Sequence, residues 1–140
     1  MNDSDWEATV PAEIVRSALW RMQVYRIALL VADMGTPELR RLSREPFARS
    51  AAGQLFRSLG SIPANICEGY SRGSGPDRVR FYEYGLGSAL ESMTWGFLLR
   101  HDLKGPFAQE VQPLLAQVRN LLLTMIPAER EVRLGGSRRS

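Results

Sequence analysis

The sequence predicts an all-α fold, an antiparallel up-down-up-down four-helix bundle, from three observations. Four segments place apolar residues at three- and four-residue steps. Glycine- and proline-rich breaks separate them, and no stretch alternates apolar with polar residues as a half-buried strand would. The connections are short, which favours antiparallel neighbours. The 140 residues, 44% hydrophobic and 24% charged, suit one domain with one core.

The first helix is expected over residues 11–34, with Thr9 as N-cap and Ile14, Ala18, Met22, Tyr25, Leu29 and Ala32 on one face. Gly35 should end it, and Thr36-Pro37-Glu38 should open a short helical turn reaching Leu42. Ser43 is placed to cap the second helix, whose buried stripe reads Phe47, Ala51, Leu55, Leu59, Ile62 and Ile66. Pro63 cannot donate to the Leu59 carbonyl, so a kink is expected near Gly60 unless Ser61 or Asn65 compensates. Gly69 to Gly75 stops this helix, and Ser74 with Asp77 has the spacing of a capping box for the third.

Val79, Tyr82, Leu86, Leu90, Met93 and Phe97 mark the face of the third helix. After the break at Lys104-Gly105-Pro106, the fourth carries Phe107, Val111, Leu114, Leu115, Val118, Leu121, Leu122 and Met125. Pro113 should kink it or delay its start, and Pro127 should close it. This divides the chain into an acidic flexible leader over 1–10, a bundle domain over 11–127 and a basic, disordered tail over 128–140. The bundle topology would bring the leader (Asp3, Asp5, Glu7) and the tail (Arg130, Arg133, Arg138, Arg139) to one pole.

Composition excludes several functions. No apolar run approaches the roughly 18 to 20 residues that span a bilayer, and residues 1–13 lack the layout of a signal peptide, so a cytoplasmic location is expected. The single cysteine, Cys67, rules out an intrachain disulfide or a cysteine zinc site and reads as a small buried helix residue. With His101 the only histidine, bundle-type metal sites have no ligand set, and His101 better suits the C-terminal dipole of the third helix. Gly69 to Gly75 lacks the Gly-Lys-Ser/Thr ending of a phosphate loop, although Arg72 there could meet a phosphate at the next helix's N-terminus. Glu68 and Glu91 resemble an acid–base pair, but arginine partners would hold both ionised. No catalytic residue, cofactor or metal is expected, and the chain reads as a non-enzyme.

Surface chemistry points to partners instead. Lys104 is the only lysine among 18 basic residues, so the net charge of +3 is carried by guanidinium, which pairs bidentately with carboxylate or phosphate. Arg40, Arg41, Arg44 and Arg49 precede the second helix, and Arg72, Arg78 and Arg80 lead into the third. Repeated around an oligomer, they would form a basic ring for a nucleic-acid backbone, RNA before DNA. No aromatic is read as interleaved with them, so stacking on bases is not expected. Apolar residues also exceed one stripe per helix: Trp20 with Val15, Leu19, Val24 and Ile27 on the first, and Phe81, Tyr84 and Trp95 on the third. That excess predicts self-association.

A polar seam runs along the second helix as Gln54, Arg57, Ser61, Asn65, Glu68 and Arg72, facing Arg80, Tyr84, Ser88 and Glu91 on the third. Arginine–glutamate pairing across it should fix the register of the bundle or its interfaces. The runs Gln54 to Arg57 and Ser61 to Gly69, then Arg72, together with Arg80-Phe81, Gly85 to Ser88 and Glu91, resemble a bacterial four-helix-bundle family. That family is named after proteins encoded in intervening sequences of 23S ribosomal RNA genes. The resemblance covers roughly Leu19 to Ile126, with Cys67 and Gly85 where alanine is usual and an atypical arginine-rich stretch before the second helix. It implies a homopentamer. Related accessory proteins of diversity-generating retroelements bind RNA and a reverse transcriptase, which makes both classes of partner an expectation here, with a protein-recruiting adaptor as the alternative.

Overall fold

Four long helices carry the all-α fold, and among the described residues of the computed structural model, 3–134 with side chains for 4–131, there is no strand. Two short helices, α1 (Asp3–Glu7) and α2 (Ala12–Val15), and a 3-10 turn (Ala18–Arg21) precede α3 (Gln23–Leu42). Then follow α4 (Arg49–Ser71), α5 (Gly75–Leu98) and α6 (Gly105–Leu134). No helix among the described residues is long and apolar enough to cross a membrane.

The expected first helix is broken. Ser17 and Met22 adopt extended backbone, and the Ser17 hydroxyl donates to the Ile14 carbonyl at 2.7 Å. The break lets the Trp20 ring turn inward, stacked on Trp6 at 6.1 Å and edge-on to Tyr25 at 6.2 Å. Its indole N–H donates to Glu7 at 2.8 Å, and the Trp6 indole donates to Asp33 at 2.9 Å. Both tryptophans are only 7% exposed. Residues 3–7 are therefore a docked helix rather than a flexible leader, and Trp20 is consumed inside the chain rather than offered to an interface.

Helix α3 passes straight through Gly35 and Pro37, where an end and a new turn were expected. A Cβ at Gly35 would lie 2.9 Å from two ring atoms of Phe107 and 3.3 Å from Leu59 Cδ1. The glycine admits a close helix contact and is not a cap. Ser43 closes α3 instead of opening α4, and its hydroxyl donates to the Arg40 carbonyl at 2.6 Å.

Helix α4 is continuous across Gly60 and the buried Pro63. Ser74 caps α5 as its spacing predicts, accepting the Asp77 amide at 3.3 Å. Helix α6 starts at Gly105, whose φ of 74° favours glycine, and runs through the exposed Pro113 and Pro127. At exposed prolines the carbonyl that loses its partner faces water, so the break is affordable. Glu129 pairs with Arg78 at 2.6 Å, and Arg130 with Glu83 at 2.6 Å, tying the last turns of α6 to α5. The helix thus does not close at Pro127; the Arg133 side chain, Arg138 and Arg139 lie outside the described residues.

Leu55, Leu59, Ile62 and Ile66 of α4 meet Val31 of α3 and Leu115, Val118 and Leu122 of α6 in the core, all at most 1% exposed. Each such side chain contributes about 1.5–3 kcal/mol. The buried face of α5 departs from the expected stripe after Tyr82, continuing as Gly85, Ala89, Ser92 and Gly96. Leu90 and Phe97, assigned to the core, are 46% and 55% exposed. Small residues let α5 approach α4 closely: a Cβ on Gly85 would sit 3.7 Å from both Asn65 Cβ and Ile66 Cγ1.

Contacts between neighbours run in opposite order along the chain. Ser58 meets Ser92, Ser61 meets Ser88 and Gly69 meets Tyr82, so α4 and α5 point in opposite directions. Gly96 with Gln112 and Arg78 with Glu129 show the same for α5 and α6.

Candidate functional site

The seam between α4 and α5 is built from hydroxyls and an amide, not from ion pairs. Ser88 Oγ donates to Ser61 Oγ at 2.9 Å, and Asn65 Nδ2 donates to the Ser61 carbonyl and hydroxyl at 2.8 and 2.9 Å. Below them Ser92 Oγ, 0% exposed, donates to Ser58 Oγ at 2.8 Å. Among the described residues none of the expected arginine–glutamate pairs crosses the seam, whose close-packed middle is filled by small side chains. Glu68 pairs with Arg72, the residue that follows α4, at 3.0 Å, and Glu91 accepts the Trp95 indole N–H at 3.1 Å. Arg57 is exposed, Gln54 half-buried, and neither contacts an acid.

Phe81 and Trp95 are half-buried beside this seam, and Tyr84 is 54% exposed. Cys67, expected to be buried, is exposed. No group of three or more metal-ligating side chains gathers among the described residues. His101 is exposed just beyond the end of α5.

The seven arginines singled out above fall into two groups at opposite ends of α4, which spans 23 residues, or about 34 Å at a rise of about 1.5 Å per residue. The group at the α4–α5 turn is largely neutralised. Arg72 pairs with Glu68, Arg78 with Glu129, and Arg80 lies 3.7 Å from Asp77. Arg72 and Arg80 also flank the Phe81 ring at 4.8 and 5.0 Å, and Arg78 donates to the Arg72 carbonyl at 3.0 Å. Next to them Tyr82 packs against Gly69, and burial pushes its phenol above the ordinary range.

At the α3–α4 turn only Arg41 is engaged. It forms a two-pronged pair with Glu38 at 2.7 and 2.8 Å and donates to the Asp102 carbonyl at 2.8 Å. The Arg41 hydrogen bond, helped by the Lys104 amide and opposed by burial, holds the Glu38 carboxyl below its usual range. Arg40, Arg44 and Arg49 are exposed and have no partner among the described residues.

Between them Phe47, expected on the buried stripe of α4, is 104% exposed. Amides of Ser43, Arg44 and Glu45 bond back to α3, and those of Ala48 and Arg49 bond to the Glu45 carbonyl, so the turn is ordered with the ring outside. The signal for this was Pro46, which breaks any helix register begun at Ser43. An aromatic is therefore interleaved with the arginines after all.

A groove of about 790 Å³ lies between α3 and α6, below Trp6. On its wall Glu38 and Arg41 pair with each other, and Asp33 accepts the Trp6 indole N–H.

The model of the family described as 23S rRNA-intervening sequence protein matches residues 22–124. Among solved structures, a protein of unknown function from the S23 ribosomal protein family of Bacteroides thetaiotaomicron VPI-5482 is similar in fold, with a TM-score of 0.67 and 24% identity. The match covers 74% of this chain and 97% of that one. A comparison with curated proteins finds no match. The matched span takes in α3, α4, α5 and most of α6, and on that ground the chain belongs to the 23S rRNA-intervening sequence protein family.

Proposed function

We propose that the chain is a non-enzymatic, cytoplasmic bundle of up-down-up-down topology that assembles with itself, as a homopentamer by the resemblance, and binds nucleic acid through arginine, RNA in preference to DNA. One observation carries this reading: among the described residues Arg40, Arg44 and Arg49 stand exposed with no side-chain partner, whereas Arg41, Arg72, Arg78 and Arg130 are held by carboxylates. An unneutralised guanidinium cluster suits phosphate, which it binds bidentately. Multiplied around an oligomer, the three become a basic ring.

Titration of a labelled RNA at several salt concentrations tests this. Affinity should fall by about 0.7 to 0.9 log units per log unit of salt for each phosphate engaged. An oligomer that ignores both RNA and DNA at low ionic strength would overturn the proposal. Self-association is supported by Tyr84, Leu90, Phe97 and Leu98, all exposed on α5. Light scattering should return a multiple of the 15.7 kDa chain mass, and a clean monomer defeats the assembly. The same apolar residues favour a second reading, an adaptor that recruits a protein such as a reverse transcriptase. Recovery of one stoichiometric protein partner without nucleic acid would support that reading instead.

A further inference from the structure

The α3–α4 turn holds a feature that phosphate binding alone leaves unused. Phe47 is fully exposed although the turn around it is hydrogen-bonded on both sides. Its ring packs on no guanidinium, unlike Phe81 and Phe97, each of which has an arginine over its face. A flat apolar ring held in water, with Arg44 three residues before it and Arg49 two after, presents a π-face beside unpaired cations. Bases in a duplex are already stacked on their neighbours and cannot lie on such a ring. An unpaired base can, while its flanking phosphates meet the arginines.

We propose that Phe47 with Arg40, Arg44 and Arg49 forms a contact site for single-stranded nucleic acid, the ring stacking on one unpaired base. The inference rests on the nucleic-acid reading above and narrows it to single strands and to this turn. Local charge agrees: residues 38–49 and 100–104 together hold six cationic and three anionic side chains. A second arrangement, Phe47 seated in another copy of the chain, makes a different prediction about mass.

The test uses the full chain and labelled twelve-nucleotide oligomers: uridine RNA, thymidine DNA, an RNA duplex, and an RNA in which abasic residues replace the central bases. Phe47→Ala should weaken binding to both single strands by about fivefold or more. It should leave duplex affinity and oligomeric mass unchanged, and Phe47→Trp should restore the loss. On the abasic strand the wild type should already be weak, and Phe47→Ala should weaken it no further. Comparison of the RNA and DNA strands shows whether the sugar matters to the same contact. If Phe47→Ala binds single strands as well as the wild type does, base stacking is overturned while nucleic-acid binding stands. If Phe47→Ala lowers the oligomeric mass, the ring is a contact between copies and the site is overturned. If the wild type binds none of the four at low salt, both the site and the broader reading fall.

Discussion

The two arginine-rich turns at the ends of α4 use the same side chain in opposite ways. At the α4–α5 turn, Arg72, Arg78 and Arg80 each reach a carboxylate, and Phe81 lies between two of them. At the α3–α4 turn, Arg40, Arg44 and Arg49 reach none, and Phe47 lies in water. The difference comes from what surrounds each turn. The end of α6 passes beside the first and supplies Glu129, whereas the acids near the second are Glu38, already held by Arg41, and Glu45 and Asp102, whose carboxylates pair with none of the three arginines. Arginine count alone is therefore a poor guide to a binding surface; whether a carboxylate is positioned to pair decides which cations stay free.

The contrast is sharpest between the two rings. Tyr82→Ala, which empties a buried site beside Gly69, should cost about 3–5 kcal/mol in urea unfolding. Phe47→Ala should stay within about 0.5 kcal/mol. Comparable losses at both positions would mean that the turns do not differ in packing.

Glycine gives the next largest effect. A Cβ at Gly69 would fall 2.7 Å from Tyr82 Cε1, so Gly69→Ala should cost about 1–3 kcal/mol despite its better helix propensity. Gly73→Ala, with nothing near the new methyl, should leave the unfolding midpoint unchanged or slightly raised.

Among the arginines, Arg78→Ala should lose about 1–2 kcal/mol, since both partners of its 2.6 Å pair are mostly shielded from solvent. Arg44→Ala should be neutral for stability within about 0.5 kcal/mol and should act on nucleic-acid affinity. A destabilised Arg44→Ala would show that this guanidinium is committed to the fold.

The smallest effect concerns pH. Glu38 has its folded carboxyl depressed by Arg41, so its contribution is present above the ordinary carboxylate range and fades as pH falls through and below it. Arg41→Gln should flatten that acid-side loss of stability, and an unchanged slope would show that the pair contributes nothing to it.

The four long helices and the breaks on either side of α5 were legible because apolar spacing and capping chemistry are local. Ser74 with Asp77 announced α5 correctly, and the α4 core positions Leu55 to Ile66 followed from their spacing. Features set by a distant neighbour were not legible. Gly35 looked like a stop until Phe107 occupied the space it leaves, and the buried face of α5 is drawn by small residues where large apolar ones nearby suggested another face. At the candidate site, Arg40, Arg44 and Arg49 were found as a set with Arg41, Arg72, Arg78 and Arg80. Their separation followed only from partners such as Glu129, 51 residues from Arg78. Phe47 was misplaced for a local reason, since Pro46 had already broken the helix that would have buried it.

The paired hydroxyls Ser58–Ser92 and Ser61–Ser88 act on α4 and α5 like the teeth of a vernier. If α5 slid along α4 by one turn, about 5.4 Å, Ser92 would move to Ser61 in one direction or Ser88 to Ser58 in the other, so only one pair could re-form and the two remaining hydroxyls would lose their partners. Each stranded hydroxyl costs about 1–3 kcal/mol, while a seam of alanines would tolerate the slip far better. The serines thus favour the one axial offset at which both pairs form. That offset sets how far apart the two ends of α4 hold their arginines from the ends of α5, and so makes the position of the free cluster a property of the core.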